Sequence, residues 1–115
     1  MIERVIIAVS AEAQLPAQRE VDARDASLIE QGRKEFGETG LNCADCHEFR
    51  GEGGGKGPDL TGWGSREWTI GIMHNPGAKK YYGRRNDRMP AFGEKGELDA
   101  REIGMLADWL RGDAP

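Results

Sequence analysis

Both cysteines of this 115-residue chain, and one of its two histidines, fall within five consecutive positions, Cys43-Ala44-Asp45-Cys46-His47. On a helical turn Cys43, Cys46 and His47 stand at i, i+3 and i+4, and so present two thiols and an imidazole on one face. The rest of the chain needs a centre of this kind. Only 37% of its residues are hydrophobic and 17 are glycine. A single domain of this length with so little apolar side chain is marginal unless a metal, a crosslink or a large cofactor fills its interior. Two cysteines close at most one disulfide, which excludes a disulfide-rich scaffold.

The formal net charge is -4, from 20 acidic and 16 basic residues. No overall basic excess is available to displace counterions from phosphates, so nucleic acid is not an expected partner. No segment reaches the roughly 18 apolar residues of a membrane span. Val5–Val9 is too short for the core of a secretory leader, and Glu12 follows soon after. Either a targeting segment has been removed or the chain is a piece of a longer polypeptide. Residues 1–24 show no clear core pattern and are interrupted by Pro16. They are expected to be an N-terminal arm, tether or extension, or a remnant without a structural role, ahead of one domain over 25–115.

Three helices are expected in that domain. The first starts at Ser27, where Ser27 and Glu30 have capping-box spacing, continues through Ile29, Gly32, Arg33 and Phe36, and ends at Gly40. The second runs from Ser65 to His74 and stops at Asn75-Pro76. The third follows a capping box of Asp99 and Glu102, with Leu98 and Ile103 as a hydrophobic staple. Ile103, Leu106 and Leu110 make its core face with Trp109 alongside, and Gly112 suits its end. Between them, residues 50–62 and 75–96 are rich in Gly and Pro and lack strand alternation. Loops of that length are uncommon in a small domain unless they wrap or bind something.

Cys-x-x-Cys-His is the attachment signature of c-type haem. The thiols add across the two vinyl groups as thioethers, and the imidazole stands beneath the iron. Haem also explains the thin core, because the porphyrin is a large apolar body and its crosslinks restrain the unfolded chain. A zinc site from Cys43, Cys46, His47 and His74 is one alternative, though adjacent Cys and His ligands are awkward. A redox dithiol would want a βαβ setting, which is absent. A simple disulfide is the remaining alternative.

A second axial ligand could come from Met1, Met73, Met89, Met105 or His74. Met73 and Met105 read as core, Met1 is terminal, and His74 sits at a helix end. Met89 differs, because Pro90 forces it into an extended conformation on a loop, from which a soft thioether can be aimed at a fixed place.

With these residues in place the sequence resembles a class I c-type cytochrome, a mono-haem cytochrome c domain. The likeness is carried by CADCH, GPDL at 57–60, RMPAF at 88–92 and GRKEF at 32–36, set against a C-terminal helix with Trp109. It covers Ser27 to Gly112. It implies an all-α cytochrome c fold of about 3–5 helices around one covalently bound haem c, joined by long irregular loops. It further implies that His47 and Met89 ligate the iron and that Pro58 lies on the proximal side, with an adjacent carbonyl accepting from the His47 Nδ1–H. Gly32 would let the first helix cross the last, with Phe36 and Trp109 packing there. Leu60, Trp68 and Phe92 would line the haem, and Trp63, Arg66 and Tyr82 would partner its propionates. GPDLTGWGSREW and KKYYGRRNDRMPAFG are also similar to haem domains fused to, or associated with, membrane cytochrome b subunits of quinol-oxidising complexes.

An iron filled on both axial sides serves single-electron transfer rather than catalysis. The expected partners are redox proteins of a respiratory chain, possessing acidic patches to meet Lys79, Lys80, Arg84, Arg85 and Arg88 beside Met89. The alternatives are a haem subunit or fused domain of a larger membrane quinol-oxidising or oxidase complex, and a gas-binding or peroxidase haem domain should Met89 leave the iron. Covalent haem implies an extracytoplasmic site, in the periplasm or on the outer face of the cytoplasmic membrane.

Overall fold

The computed structural model describes residues 1–38 and 41–113. Among them run α1 (Ile2–Ala11), α2 (Arg19–Arg24), α3 (Ala26–Glu35), a two-stranded antiparallel ribbon of β1 (Glu48–Phe49) and β2 (Glu52–Gly53), α4 (Arg66–His74) and α5 (Ala100–Arg111). Single 3-10 turns lie at Pro16–Gln18, Cys43–Asp45 and Gly83–Arg85. Among the described residues no helix is long and apolar enough to cross a membrane. The architecture is helical, as expected. The ribbon was not foreseen. It is closed by Arg50 and Gly51, both at positive φ, the backbone of a tight hairpin turn, and its strands are too short to alternate visibly in sequence.

The start of α3 differs from the sequence expectation. The helix begins at Ala26, with Asp25 in the cap position and no side-chain cap, so Ser27 lies inside it. The reason is α2, which runs almost directly into α3. The Asp25 amide donates to Val21 and the Asp25 carbonyl accepts from Ile29, so the chain never presents Ser27 as a fresh helix start. Gly40, expected to end this helix, lies outside the described residues.

The partner of α3 also differs. Ile29, Gly32 and Phe36 are buried as the spacing predicts, but against α1 rather than α5. A Cβ on Gly32 would run into the Arg4 carbonyl and the Ala8 methyl, so the two helix backbones approach closely at that point. Arg4 adds a fork on Glu35, with Nε and Nη2 donating at 2.7–3.0 Å, and its guanidinium holds the Glu35 carboxyl below the ordinary carboxylate range. Beyond Gly32, Val5 joins Phe36 and Phe49 in a core cluster against which Cys43, Ala44 and Leu60 pack. Phe36 and Phe49 meet with ring centroids 4.8 Å apart.

The second half of the chain is a pair of helices. Ser65 caps α4 by accepting from the Trp68 amide, and Asp99 with Glu102 form the expected box at the head of α5. Met73, Ile103 and Ala107 make the seam, with Ile70, Leu98 and Met89 packed on it. Ile103, Gly104 and Ala107 are the buried stripe of α5. Leu106 and Leu110 are exposed and Trp109 is 78% exposed, which corrects both the expected core face and the expected packing of Trp109 on Phe36. Met105, expected in the core, is also exposed. The physical reason is shared, since α1 holds the face of α3 that α5 was expected to cover. The whole is flattened, 43 × 34 × 18 Å with a radius of gyration of 15.4 Å, against about 13 Å expected for this length.

Replacing Gly32 with Ala tests this packing. Alanine favours helix by about 1 kcal/mol over glycine, but the added methyl collides with the α1 backbone, a cost of about 1–3 kcal/mol. The expected outcome is lower stability in denaturant titration. A more stable variant would mean that α1 does not lie on α3 in solution.

Candidate functional site

The CADCH segment forms one tight turn. Asn42 enters it in the left-handed region, at φ 58°. The Cys43 carbonyl then accepts from both the Cys46 amide at 3.2 Å and the His47 amide at 3.0 Å. Residues 43, 46 and 47 are thereby held on a single turn, with Cys46 exposed and Cys43 and His47 half-buried.

The glycine-rich segment that follows wraps this turn. Gly54 donates to the Ala44 carbonyl at 3.2 Å, Gly57 to that of Cys46 at 2.7 Å and Leu60 to that of Glu48 at 2.8 Å. Gly57 passes so close that a Cβ there would lie 2.8 Å from the His47 ring and the Cys46 carbonyl oxygen. Next along the chain, the Pro58 carbonyl oxygen sits 2.9 Å from His47 Nδ1. A carbonyl can only accept, so Nδ1 carries the proton and Nε2 keeps its lone pair free for a metal.

An apolar cavity of about 480 Å³ opens beside this turn, lined by Cys43, His47, Leu60, Trp63 and Phe36, with α1 completing the wall. Trp63, Trp68 and Tyr81 form an aromatic row, with successive centroids 5.5 and 5.3 Å apart. Trp68 Nε1 is buried and has no hydrogen-bond partner among the described residues. Such a donor normally finds an acceptor. A haem fits these observations. There are two thiols on one turn, an imidazole oriented through Nδ1, and an apolar cavity that Cys43 and His47 line.

Other expected site residues are placed elsewhere. Arg66 forks onto Asp108 of α5, with Nε donating at 2.7 Å, and it holds that carboxyl below its ordinary range. Tyr82 is exposed and lines a second cleft of about 500 Å³ with Lys56, Lys79, Arg84 and Arg85. Phe92 is half-buried, and its carbonyl accepts from Leu98. Met89 does not line the His47 cavity; it packs on the α4–α5 seam. The four side chains of the zinc alternative are not gathered, since no group of three or more candidate ligands occurs among the described residues. His74 instead lies against Gly93.

Three residues had no structural role assigned from the sequence. Asn86 clamps the backbone of Met89, its Nδ2 donating to the Met89 carbonyl at 2.9 Å and its Oδ1 accepting from the Met89 amide at 3.2 Å. An Asn three residues before Met-Pro is the signal that was there to read. Glu12 is buried at 4% exposure and accepts from Arg50 Nε at 2.7 Å and the Gly62 amide at 2.7 Å. Arg111 donates to the carbonyls of Ala13, Gly64 and Gln14. Nothing local in the sequence marks these last two.

Residues 27–110 match the protein-family model described as cytochrome C oxidase, cbb3-type, subunit III. The chain belongs to this family. It therefore carries a class I c-type cytochrome domain, of the kind that transfers electrons through covalently bound haem c. The family description names an oxidase and gives no support to the narrower likeness to quinol-oxidising complexes. Searches of curated proteins and of solved structures found no match.

The turn around His47 can be tested by Gly57→Ala. The methyl has no room beside the imidazole, so the ring must rotate and its bond to Pro58 must break. The expected outcome is loss of the slowly exchanging Nδ1 proton resonance of His47 in NMR spectra. A retained resonance would show that the loop does not press on the ring.

Proposed function

We propose that this domain passes single electrons through one haem c, bound by Cys43 and Cys46 and ligated by His47 and Met89, within an oxidase assembly of a respiratory chain. The reading is carried by the His47 Nδ1 bond to the Pro58 carbonyl, made beside an apolar cavity that Cys43 shares. The haem, when bound, supplies a one-electron iron couple. The protein supplies the rest. Cys43 and Cys46 would hold the haem through thioether bonds to its vinyl groups. Pro58 fixes the tautomer and the orientation of the His47 ring. Asn86 clamps the Met89 backbone through its carbonyl and amide, Pro90 disfavours the α region for residue 89, and Met89 would be the loop residue that supplies a thioether to the iron. A neutral thioether there favours the reduced state. Were His47 and Met89 both to ligate the iron, substrate would have no access to it, and the domain would serve as a carrier.

The family description favours a haem subunit of an oxidase over a free shuttle, and the extracytoplasmic side of the membrane follows from covalent haem. The cleft in which Lys56, Lys79, Arg84 and Arg85 outnumber Glu48 and Asp59 suits an acidic redox partner, steered at low salt. The test is spectroscopic. The oxidised protein is expected to show a weak near-infrared sulfur-to-iron band that Met89→Ala abolishes and Met73→Ala and Met105→Ala leave in place. Survival of the band in Met89→Ala would assign the ligand to another methionine.

A further inference from the structure

Residues matched by the family begin at 27, yet the open cavity beside His47 is bordered by a helix that lies before them. We infer that α1 is part of the haem pocket, with Val5, Ile6 and Val9 supplying apolar wall against the porphyrin. This rests on the haem reading above and extends it to a segment outside the matched residues.

The first observation is the cavity itself, which Val5, Ile6 and Val9 share with Cys43 and His47. Positions 5, 6 and 9 form adjoining rows on one side of a helix. The second is exposure. Ile6 is 61% exposed and Trp63 47%, and both border the cavity that holds the thiol and the imidazole. Large apolar side chains gathered around one opening mark a surface that something apolar covers. Ile7, on the neighbouring row, instead packs on the Ala8, Ala11 and Ile29 cluster.

The third observation is that α1 is anchored to the parts that carry the site. Its C-terminal end runs into Glu12, whose buried carboxylate takes Arg50, just past the CADCH turn, and the Gly62 amide, next to Trp63. Arg33 of α3 approaches the same carboxylate at 3.5 Å. Arg111 of α5 then holds the carbonyls of Ala13 and Gln14 together with that of Gly64. The helix is thus tied at its end to both loops of the cavity and packed along its length on α3. A loosely tethered arm would have none of these bonds. The consequence for electron transfer is exclusion of water from part of the ring, which favours the reduced state.

The experiment uses the ferrous holoprotein, with covalent haem confirmed beforehand by pyridine haemochrome. Ring currents of the porphyrin are expected to move the Ile6 and Val9 methyl resonances out of the ordinary aliphatic envelope, while those of Ile7 stay within it. In parallel, Ile6→Asp places a carboxylate at the cavity without disturbing the core. It should lower the ratio of reduced to oxidised protein at a fixed potential by about five-fold, whereas Ala23→Asp on α2 should leave it unchanged. Covalent haem with Ile6 and Val9 methyls at ordinary shifts would overturn this inference alone. Absence of covalent haem would overturn it together with the reading on which it rests.

Discussion

The hydrogen bond between His47 Nδ1 and the Pro58 carbonyl is the contact on which the site depends. It joins the turn that carries both thiols to the loop that wraps it, and it fixes which ring nitrogen faces the cavity. Its geometry rests on Gly57, since no side chain fits between the loop and the imidazole. A glycine-rich stretch that looks featureless as secondary structure therefore performs a definite task. It brings backbone donors and one carbonyl within bonding distance of a five-residue turn.

A second set of contacts holds the walls of the cavity in place. The carboxylate of Glu12 is buried, and burying a charge is costly unless it is paired and hydrogen-bonded. Arg50 and the Gly62 amide satisfy it, and Arg111 gathers the carbonyls on either side of the same junction. The segment at 12–14 is thus a polar hub between α1, the loop after the CADCH turn and the end of α5. Helix packing and cofactor chemistry meet there, because displacing the hub would open the apolar wall beside His47.

How much of this was legible in the sequence follows from how local each feature is. The CADCH turn, the Asp99–Glu102 box and the Ser65 cap of α4 are set by residues within four positions of one another, and spacing alone exposes them. The stripe of Ile29, Gly32 and Phe36 was equally visible, but spacing says which face is buried and not what buries it. Gly32 therefore pointed to a close helix crossing, while the identity of α1 as the partner stayed hidden because residues 1–24 are too polar and broken to advertise a core. Trp109 and Leu110 look like core on any helical wheel, and their exposure is a consequence of that distant choice of partner. Glu12 and Arg111 act across 38 and 98 positions respectively, which no local pattern reports.

The central claim is that one turn of this chain covalently carries a haem in the cavity beside His47. Intact-mass measurement of the purified protein, after acid and organic extraction of loosely held cofactor, tests it most directly. The expected mass is that of the chain plus one haem, falling to that of the bare chain when Cys43 and Cys46 are both replaced by Ala. A bare-chain mass for the native protein, or a haem that extraction removes, would contradict it.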